Sequence, residues 1–488
     1  MSTETPQSKR FSRREFLKVT VALAGGGAVV SLASACAGQP AATPAATKAA
    51  APAATTAPAQ PAPAATQAPA APRGVKEVKV GQVLPLTGGV AAVGAQMRTG
   101  SEIALAEINA EGGIKSLDGA KITMVFADSK GTPDGGSAET ERLIVQEKVS
   151  LMTGAYQSAV TFPATAVAER YRCPWLVNVA AKDEITIGRG FKYVCRDFKT
   201  MTMDVEEILL AVNAFEKALK MAPKTHYILC EGTDWGRSTA AGVKKLFPAA
   251  GKGYEIVGEE IYPPGQSDFT AQILKIKAAK PDMLHLAMYT PDHIVFNKQY
   301  MEQKLDLPFG MVSYGSGSED PTTYKALPPE SYEYMFVEED WDPRGRTAPW
   351  YPDINEQVKA KLGYDMNSYV ACAYGSMYVI KDILERAKYD ADLAKYRDNI
   401  RDAMYATDIT KQNALKRKTK AGVEYQPAFV RGMSRIVFDK EGQNPYAYGT
   451  LSQWINNKTT VLYAAWVNPP EGELVGTPKW PVPKWSER

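Results

Sequence analysis

From residue 75 to residue 313 the chain repeats one arrangement: a short apolar run, a longer stretch of helical period, then another apolar run. Runs at 78–84, 122–127, 150–154, 175–179 and 193–196 predict strands, and 94–110, 135–147 and 158–171 predict helices between them. The pattern then restarts, with helices over 205–220, 239–247, 267–278 and 293–303 and strands over 225–230, 254–261, 283–288 and 309–313. Ser267 or Asp268 is the expected N-cap of the third of these helices. Strands joined through helices of this length pair in parallel, because the crossover carries the chain back along a face of the sheet. The restart predicts two α/β lobes with parallel-sheet cores. Ligands of such sheets sit at the carboxyl ends of the strands, here between the lobes.

The last third is more helical, with helices expected over 351–362, 367–387 and 393–405 and strands over 434–438 and 459–463. Residues 413–426 are polar and predict an insertion or loop. The tail from 469 to 488 carries Trp480 and Trp485 among prolines, which predicts an irregular strap that packs rather than a free end.

Ahead of the repeating body lies a segment of a different kind. The formal charge is +3, from 57 Lys/Arg and 54 Asp/Glu. Five of those cations and two of those anions fall in the first 35 residues, so the remainder is balanced at 52 and 52. A neutral body argues against a nucleic-acid protein, which needs clustered Lys and Arg. The run Ser12-Arg13-Arg14-Glu15-Phe16-Leu17-Lys18 looks like a twin-arginine export signal, with Arg13 and Arg14 as its core. Small residues precede Cys36, as at a lipidation site; cleavage after Ala33-Ser34-Ala35 without a lipid is the competing expectation. Residues 37–73 hold 18 Ala and 8 Pro and only two charges, Lys48 and Arg73. Such a segment predicts a partly extended tether reaching on the order of 100 Å at most.

Several stretches of the body resemble one family. Val80-Gly81-Gln82-Val83-Leu84-Pro85-Leu86-Thr87-Gly88 is similar to the first strand and loop of the leucine/isoleucine/valine-binding proteins. The stretch from Gly100 through Ala106-Glu107-Ile108-Asn109 to Gly112-Gly113-Ile114 resembles their first helix and its glycine stop. Gly265-Gln266-Ser267-Asp268-Phe269 with the helix after it, and Arg435-Ile436-Val437-Phe438-Asp439 before Gly442, follow the same family. The resemblance implies a type I periplasmic binding protein: two Rossmann-like lobes joined by a three-segment hinge. It also implies an extracytoplasmic receptor that delivers a small polar solute (branched-chain amino acid-like, amide or carboxylate) to an ABC permease by closing its cleft. The expected organisation is a signal over 1–36, a tether over 37–73, lobe one from 75–197 and about 341–432, and lobe two from about 200–340 and 433–488. Crossings are expected near 197–200, 315–320 and 431–434, with 338–342 as the alternative for the middle one. A monomer held to the outer face of the cytoplasmic membrane by a lipid is expected.

Solute capture needs oriented donors, a few charges and aromatic walls rather than a nucleophile. Tyr156, Gln157 and Ser158 follow a strand and open a helix, where N–H groups capped by Ser158 could hold a carboxylate or amide oxygen. The resemblance implies that Ala180, Ala181 and Lys182 offer backbone groups; Lys182 stands where a Thr is usual, and either meets an anionic ligand, faces solvent or bridges to lobe two. Asp234 and Trp235 resemble the acidic-aromatic pair of lobe two, with Trp235 as a wall. Tyr289 ends a strand toward the same cleft, and Glu319 or Asp320 is the candidate partner for a ligand ammonium, a solvated loop charge being the other reading of both. No cofactor, metal or catalytic residue is expected. His226, His285 and His293 lack zinc-ligand spacing, and neither a nucleophile elbow nor a phosphate loop occurs. Cys173, Cys195, Cys230 and Cys372 form no C-x-x-C pair, so buried thiols are expected, although export permits a disulfide. A sensor passing occupancy to a membrane signalling partner is the alternative function.

Overall fold

The structure is a computed structural model that describes residues 74–341, 346–467, 469 and 471–488. Arg13, Arg14, Cys36 and the tether lie outside the described residues.

The first lobe is built from β1 (Glu77–Leu84), α1 (Ala91–Ala110), β2 (Lys121–Asp128), α2 (Pro133–Val145), β3 (Leu151–Gly154), α3 (Ser158–Arg170), β4 (Trp175–Val177) and β5 (Val194–Arg196). Its five strands are parallel, in the order β2-β1-β3-β4-β5. The reversal of order beside β1 is a topological switch point, and it opens toward the second lobe. Glycines set the tempo of the connections. Gly113 has φ +59, and a Cβ there would lie 2.4 Å from the Ala120 carbonyl oxygen, so the stop after α1 admits no other residue without rearrangement.

The second lobe follows with α4 (Met201–Leu219), β6 (Thr225–Glu231), α5 (Asp234–Ala249), β7 (Glu255–Tyr262), α6 (Thr270–Ala279), β8 (Met283–Ala287), α7 (Thr290–Glu302), β9 (Met311–Tyr314), α8 (Pro321–Ala326) and β10 (Phe336–Glu339). The chain then returns to lobe one as α9 (Tyr351–Leu362), α10 (Ser368–Arg386) and α11 (Leu393–Tyr405). The small strands β11 (Asp408–Thr410), β12 (Arg417–Lys418), β13 (Glu424–Tyr425) and β14 (Arg435–Val437) come next. It ends on the second sheet with β15 (Thr450–Ile455), β16 (Lys458–Ala464) and β17 (Glu473–Leu474). That sheet has eight strands in the order β17-β16-β15-β10-β9-β8-β6-β7, parallel from β7 to β10 and antiparallel beyond.

Each sheet is covered on both faces. In lobe one, Val80, Ile122 and Leu176 pack with Ile103 and with Val370, Met377 and Ile380 of α10, while Val83, Met152 and Val177 pack with Leu143 and Val160 on the other side. In lobe two, Ile228 and Val312 meet Ile208 and Val243, and Leu229 and Leu286 meet Ile273 and Phe296. This is the layered packing that buries the apolar stripe of every helix.

Four differences from the sequence expectations have physical causes. The helix after residue 266 begins at Thr270 with Phe269 in the N-cap position, so neither Ser267 nor Asp268 is the cap residue, although the Asp268 carboxylate accepts the Thr270 N–H at 2.8 Å. Residues 413–426 contain the β12–β13 hairpin, anchored by Arg417 to Glu107 and, at 2.7 Å, Glu111 of α1. The chain stays with the second sheet through β10, so the middle crossing follows Glu339, at the alternative position of 338–342 and not at residues 315–320. The last crossing comes after residue 444 rather than at 431–434. Arg196 of β5 bridges in parallel to Gln443, and the Asn444 N–H donates to the Arg196 carbonyl at 3.0 Å, which keeps this segment with lobe one. Apart from the short strand β17, the tail packs as an irregular strap: Trp480 lies edge-on to Phe215 and Phe309, and Trp485 to Tyr300.

Candidate functional site

Between the lobes lies a small cavity of about 40 Å³. Six rings wall it: Tyr156, Phe198, Trp235, Tyr289, Tyr314 and Tyr369. Asp204, Glu338 and Asp340 face it, and Ser158, Val179, Ala181, Gly315 and Ser316 complete the lining. Tyr156 follows β3, Tyr289 follows β8 and Tyr314 ends β9, so these rings stand at the carboxyl ends of parallel strands. Tyr156 holds φ +100, in the left-handed half of the map that disfavours a side chain, the kind of strain found at ligand clamps. Its hydroxyl lies 2.9 Å from the Ser316 hydroxyl across the cleft, and its ring meets Tyr369 edge-on at 5.5 Å. Trp235 and Tyr289 lie 5.0 Å apart on the lobe-two side. Trp235 reaches this position because α5 starts directly on the end of β6. A Cβ at Gly236 would lie 2.1 Å from the Glu231 carbonyl oxygen, so glycine is required for the approach.

Of the residues singled out in the sequence, the structure brings Tyr156, Ser158, Ala181, Trp235 and Tyr289 together around the cavity. The other predicted residues do not line it. Gln157 is the N-cap residue of α3, and its side chain lies beside Gly131. Ser158 is therefore not the cap; its hydroxyl instead accepts the Lys182 N–H at 3.1 Å. Ala180 is buried behind the wall, with its carbonyl accepting from Arg196 at 3.0 Å. Lys182 and Asp234 pair with each other across the cleft at 2.7 Å, and the Lys182 ammonium also lies 4.2 Å from the centre of the Phe162 ring. Of the three fates open to Lys182, the structure has the bridge. Glu319 is buried, accepting the Asp340 N–H at 2.9 Å and the Ser368 hydroxyl at 2.8 Å.

Sequence reasoning missed Phe198, Tyr314, Tyr369 and the three acids. The acidic run Glu338-Glu339-Asp340 was a visible signal; Tyr369 gives none, since its helix is placed by packing on α1.

The acids converge on Lys199, which is buried where the chain first passes between lobes. Its ammonium pairs with Asp204 at 3.0 Å, with Asp340 at 2.7 Å, with Glu338, and more loosely with Glu207 at 3.9 Å. Glu207 in turn accepts the Gly449 N–H at 2.9 Å, so this one cluster ties all three interlobe passages. The oxygens of Asp204, Glu338 and Asp340 lie within 4.8 Å of one another, close enough to share a cation; the Lys199 ammonium already sits among them. Burial acts to lower the Lys199 pKa, but the surrounding carboxylates outweigh it and hold it well above its ordinary value. Burial pushes the Asp204 carboxyl up to about 8 against the pull of Lys199, and the Glu207 carboxyl up to about 7.

These two carboxyls have folded values above their unfolded ones, so the folded chain holds protons that the unfolded chain releases. Their contribution to stability is full below about pH 4 and is lost as pH rises through about 7 to 8. Asp204→Asn, which stays neutral, is expected to flatten the decline of melting temperature between pH 6 and 9 relative to the parent chain. Parallel pH profiles for the two would contradict this assignment.

The remaining titratable groups are structural. His226 and His285 bond to each other at 3.0 Å, and His285 reaches the Tyr314 hydroxyl at 2.9 Å. Burial pulls His226 down to about 4 and His293 down to about 3, so both rings are neutral. Cys173, Cys195, Cys230 and Cys372 are buried free thiols.

The periplasmic binding protein family matches this chain over residues 77–430. Leu/Ile/Val-binding protein homolog 7 of Brucella abortus is 28% identical over 407 residues, covering 79% of this chain and 91% of that protein. Homolog 8 of the same organism is 25% identical over 369 residues, covering 72% and 88%. Two solved structures share the fold. The branched-chain amino acid transporter substrate-binding protein LivJ of Streptococcus pneumoniae, in complex with isoleucine, gives a TM-score of 0.62 at 22% identity, covering 79% of this chain and 98% of that one. A solute-binding protein of an ABC transporter from R. palustris, in complex with benzoate, gives 0.61 at 18% identity, covering 82% and 98%. These relatives are binding proteins and not enzymes. With the match running from β1 to the segment that leads into β14, the chain belongs to the periplasmic binding protein family, whose members act outside the cytoplasm as receptors for small molecules.

Proposed function

We propose that this chain captures a small organic solute between its lobes and presents the closed, loaded form to an ABC permease. The observation that carries this reading is the cavity itself: six aromatic walls and hydrogen-bonding groups contributed by both lobes. Contacts made to both lobes at once favour the closed state by their differential affinity, which is what couples occupancy to shape. The rings suit the apolar part of a ligand such as the isoleucine or the benzoate held by the structural neighbours. A panel of amino acids, amides, amines and aromatic carboxylates is expected to contain a solute that raises the melting temperature and shifts Trp235 fluorescence. No response from any class would count against a receptor.

Lys182 acts in this scheme as a latch and not as a ligand contact. Lys182→Met is expected to weaken every bound solute by a similar factor, a few-fold, because a partly exposed ion pair contributes about 1 kcal/mol or less. Loss of anionic ligands alone would return Lys182 to the site.

The export pattern around Arg13 and Arg14 and the residues before Cys36 support passage through the membrane followed by lipid anchoring at Cys36. The Ala/Pro-rich tether supports an anchor, since it gives a receptor room to move while attached. Cys36→Ser is expected to move the chain from the membrane fraction to the soluble one; unchanged membrane retention would argue for another anchor.

A further inference from the structure

The charge balance of the cavity narrows the ligand beyond what its shape does. Asp204, Glu338 and Asp340 present carboxyls to the cavity, and one ammonium, that of Lys199, lies among them. Behind this layer Glu207 and Glu319 add two more buried acids. Among the described residues no Lys or Arg lines the cavity. Other basic groups around it are committed elsewhere: Lys182 to Asp234, Arg431 to Asp197 at 2.6 Å, and Arg196 to carbonyls and side chains of its own lobe. A ligand carboxylate would therefore meet several buried carboxyls whose one ammonium, that of Lys199, is already shared among them, an arrangement that is costly in low dielectric. A positive group would be drawn toward the acids and would relieve their mutual repulsion.

The walls point the same way. Tyr369, Tyr156, Tyr289 and Trp235 form a continuous chain of rings, with centroids 5.5, 5.9 and 5.0 Å apart in that succession. Ring faces attract cations, and most strongly those whose alkyl groups also gain apolar contact. Rings on several sides with acids at the floor form a container for an alkylated ammonium.

We infer that the cavity takes a small organic cation built on an alkylated ammonium centre, in preference to a zwitterionic amino acid or an aromatic carboxylate. This rests on the solute-receptor reading above and specifies the charge class of its ligand.

The test uses the full-length chain and calorimetric titration with four probes. They are choline, its uncharged isostere 3,3-dimethyl-1-butanol, leucine and benzoate. The cation is expected to bind at least tenfold tighter than its isostere, and tighter than leucine or benzoate. Asp340→Asn is expected to reduce choline affinity by about tenfold or more while leaving the alcohol's unchanged. Should Asp340→Asn fold poorly, Tyr289→Leu gives a second check, since loss of one ring should also cost the cation more than the alcohol. If leucine or benzoate binds and choline does not, the charge assignment is overturned and the receptor reading stands. If choline and its isostere bind equally, the acids do not select the ligand, and the inference is again overturned. If none of the four binds and the wider panel is silent too, both readings fall together.

Discussion

Lys199→Met is expected to be among the most damaging single changes in the chain, costing about 3–5 kcal/mol of unfolding free energy at pH 8. The reason is the company Lys199 keeps. Its ammonium sits among the carboxyls of Asp204, Glu207, Glu338 and Asp340, each of them buried or nearly so. Removing the cation leaves acids without compensation in low dielectric, and they can respond only by binding protons. The loss should therefore be smaller at pH 5, where protonation is easy, and larger as pH rises. The cluster also joins the three passages between lobes, through residues 199, 338–340 and 449, so the variant is expected to close poorly on ligand as well. Urea unfolding at pH 5 and pH 8 measures the first effect. A midpoint that is unchanged, or equally lowered at both values, would mean that the cluster carries no such charge balance.

Arg196→Met is expected to cost about 3 kcal/mol or more, by a different route. Arg196 is fully buried at the end of β5. Its guanidinium donates to the Gln443 side chain at 2.6 Å, to the Ala180 carbonyl at 3.0 Å, to the Lys182 carbonyl at 2.7 Å and to the Thr186 hydroxyl at 3.0 Å. Methionine would fill much of the space and satisfy none of these acceptors, each of which then pays for its lost partner. The loop from Ala180 to Lys182 carries Ala181 into the cavity wall, so ligand affinity should fall together with stability. Arg196→Lys is expected to rescue little, because a single ammonium cannot reproduce the planar fork that reaches four groups. Full stability in the lysine variant would show that charge alone, and not the fork, holds the loop. Thermal melts and ligand titration of both variants separate these outcomes.

The parts of the site that were legible in the sequence share a feature. Tyr156, Trp235 and Tyr289 each stand just after a strand whose apolar run is unmistakable, so the end of the strand points to the residue. Those that were not legible depend on partners far away in the chain. Phe336–Glu339 pairs centrally in the second sheet, between β9 and β15, yet half of it is glutamate, which gives it no apolar run to mark a strand. Its acids can be interior because Glu338 meets Lys199, 139 positions earlier. Asp204 gives no sign of facing a cavity until Thr200 caps α4 and turns its first turn inward. Lys182 could be assigned only once Asp234 was found 2.7 Å away.

Local pattern by itself determined the alternation of strand and helix and the two parallel-sheet cores, because these follow from hydrophobic period within short windows. Tertiary structure alone decided the electrostatics of the cleft. Burial and charge pairing depend on which distant segments meet, and a neutral overall count of charges is compatible with any local sign. Here the meeting of residues 199, 204, 338 and 340 gave a balanced chain an acidic cavity.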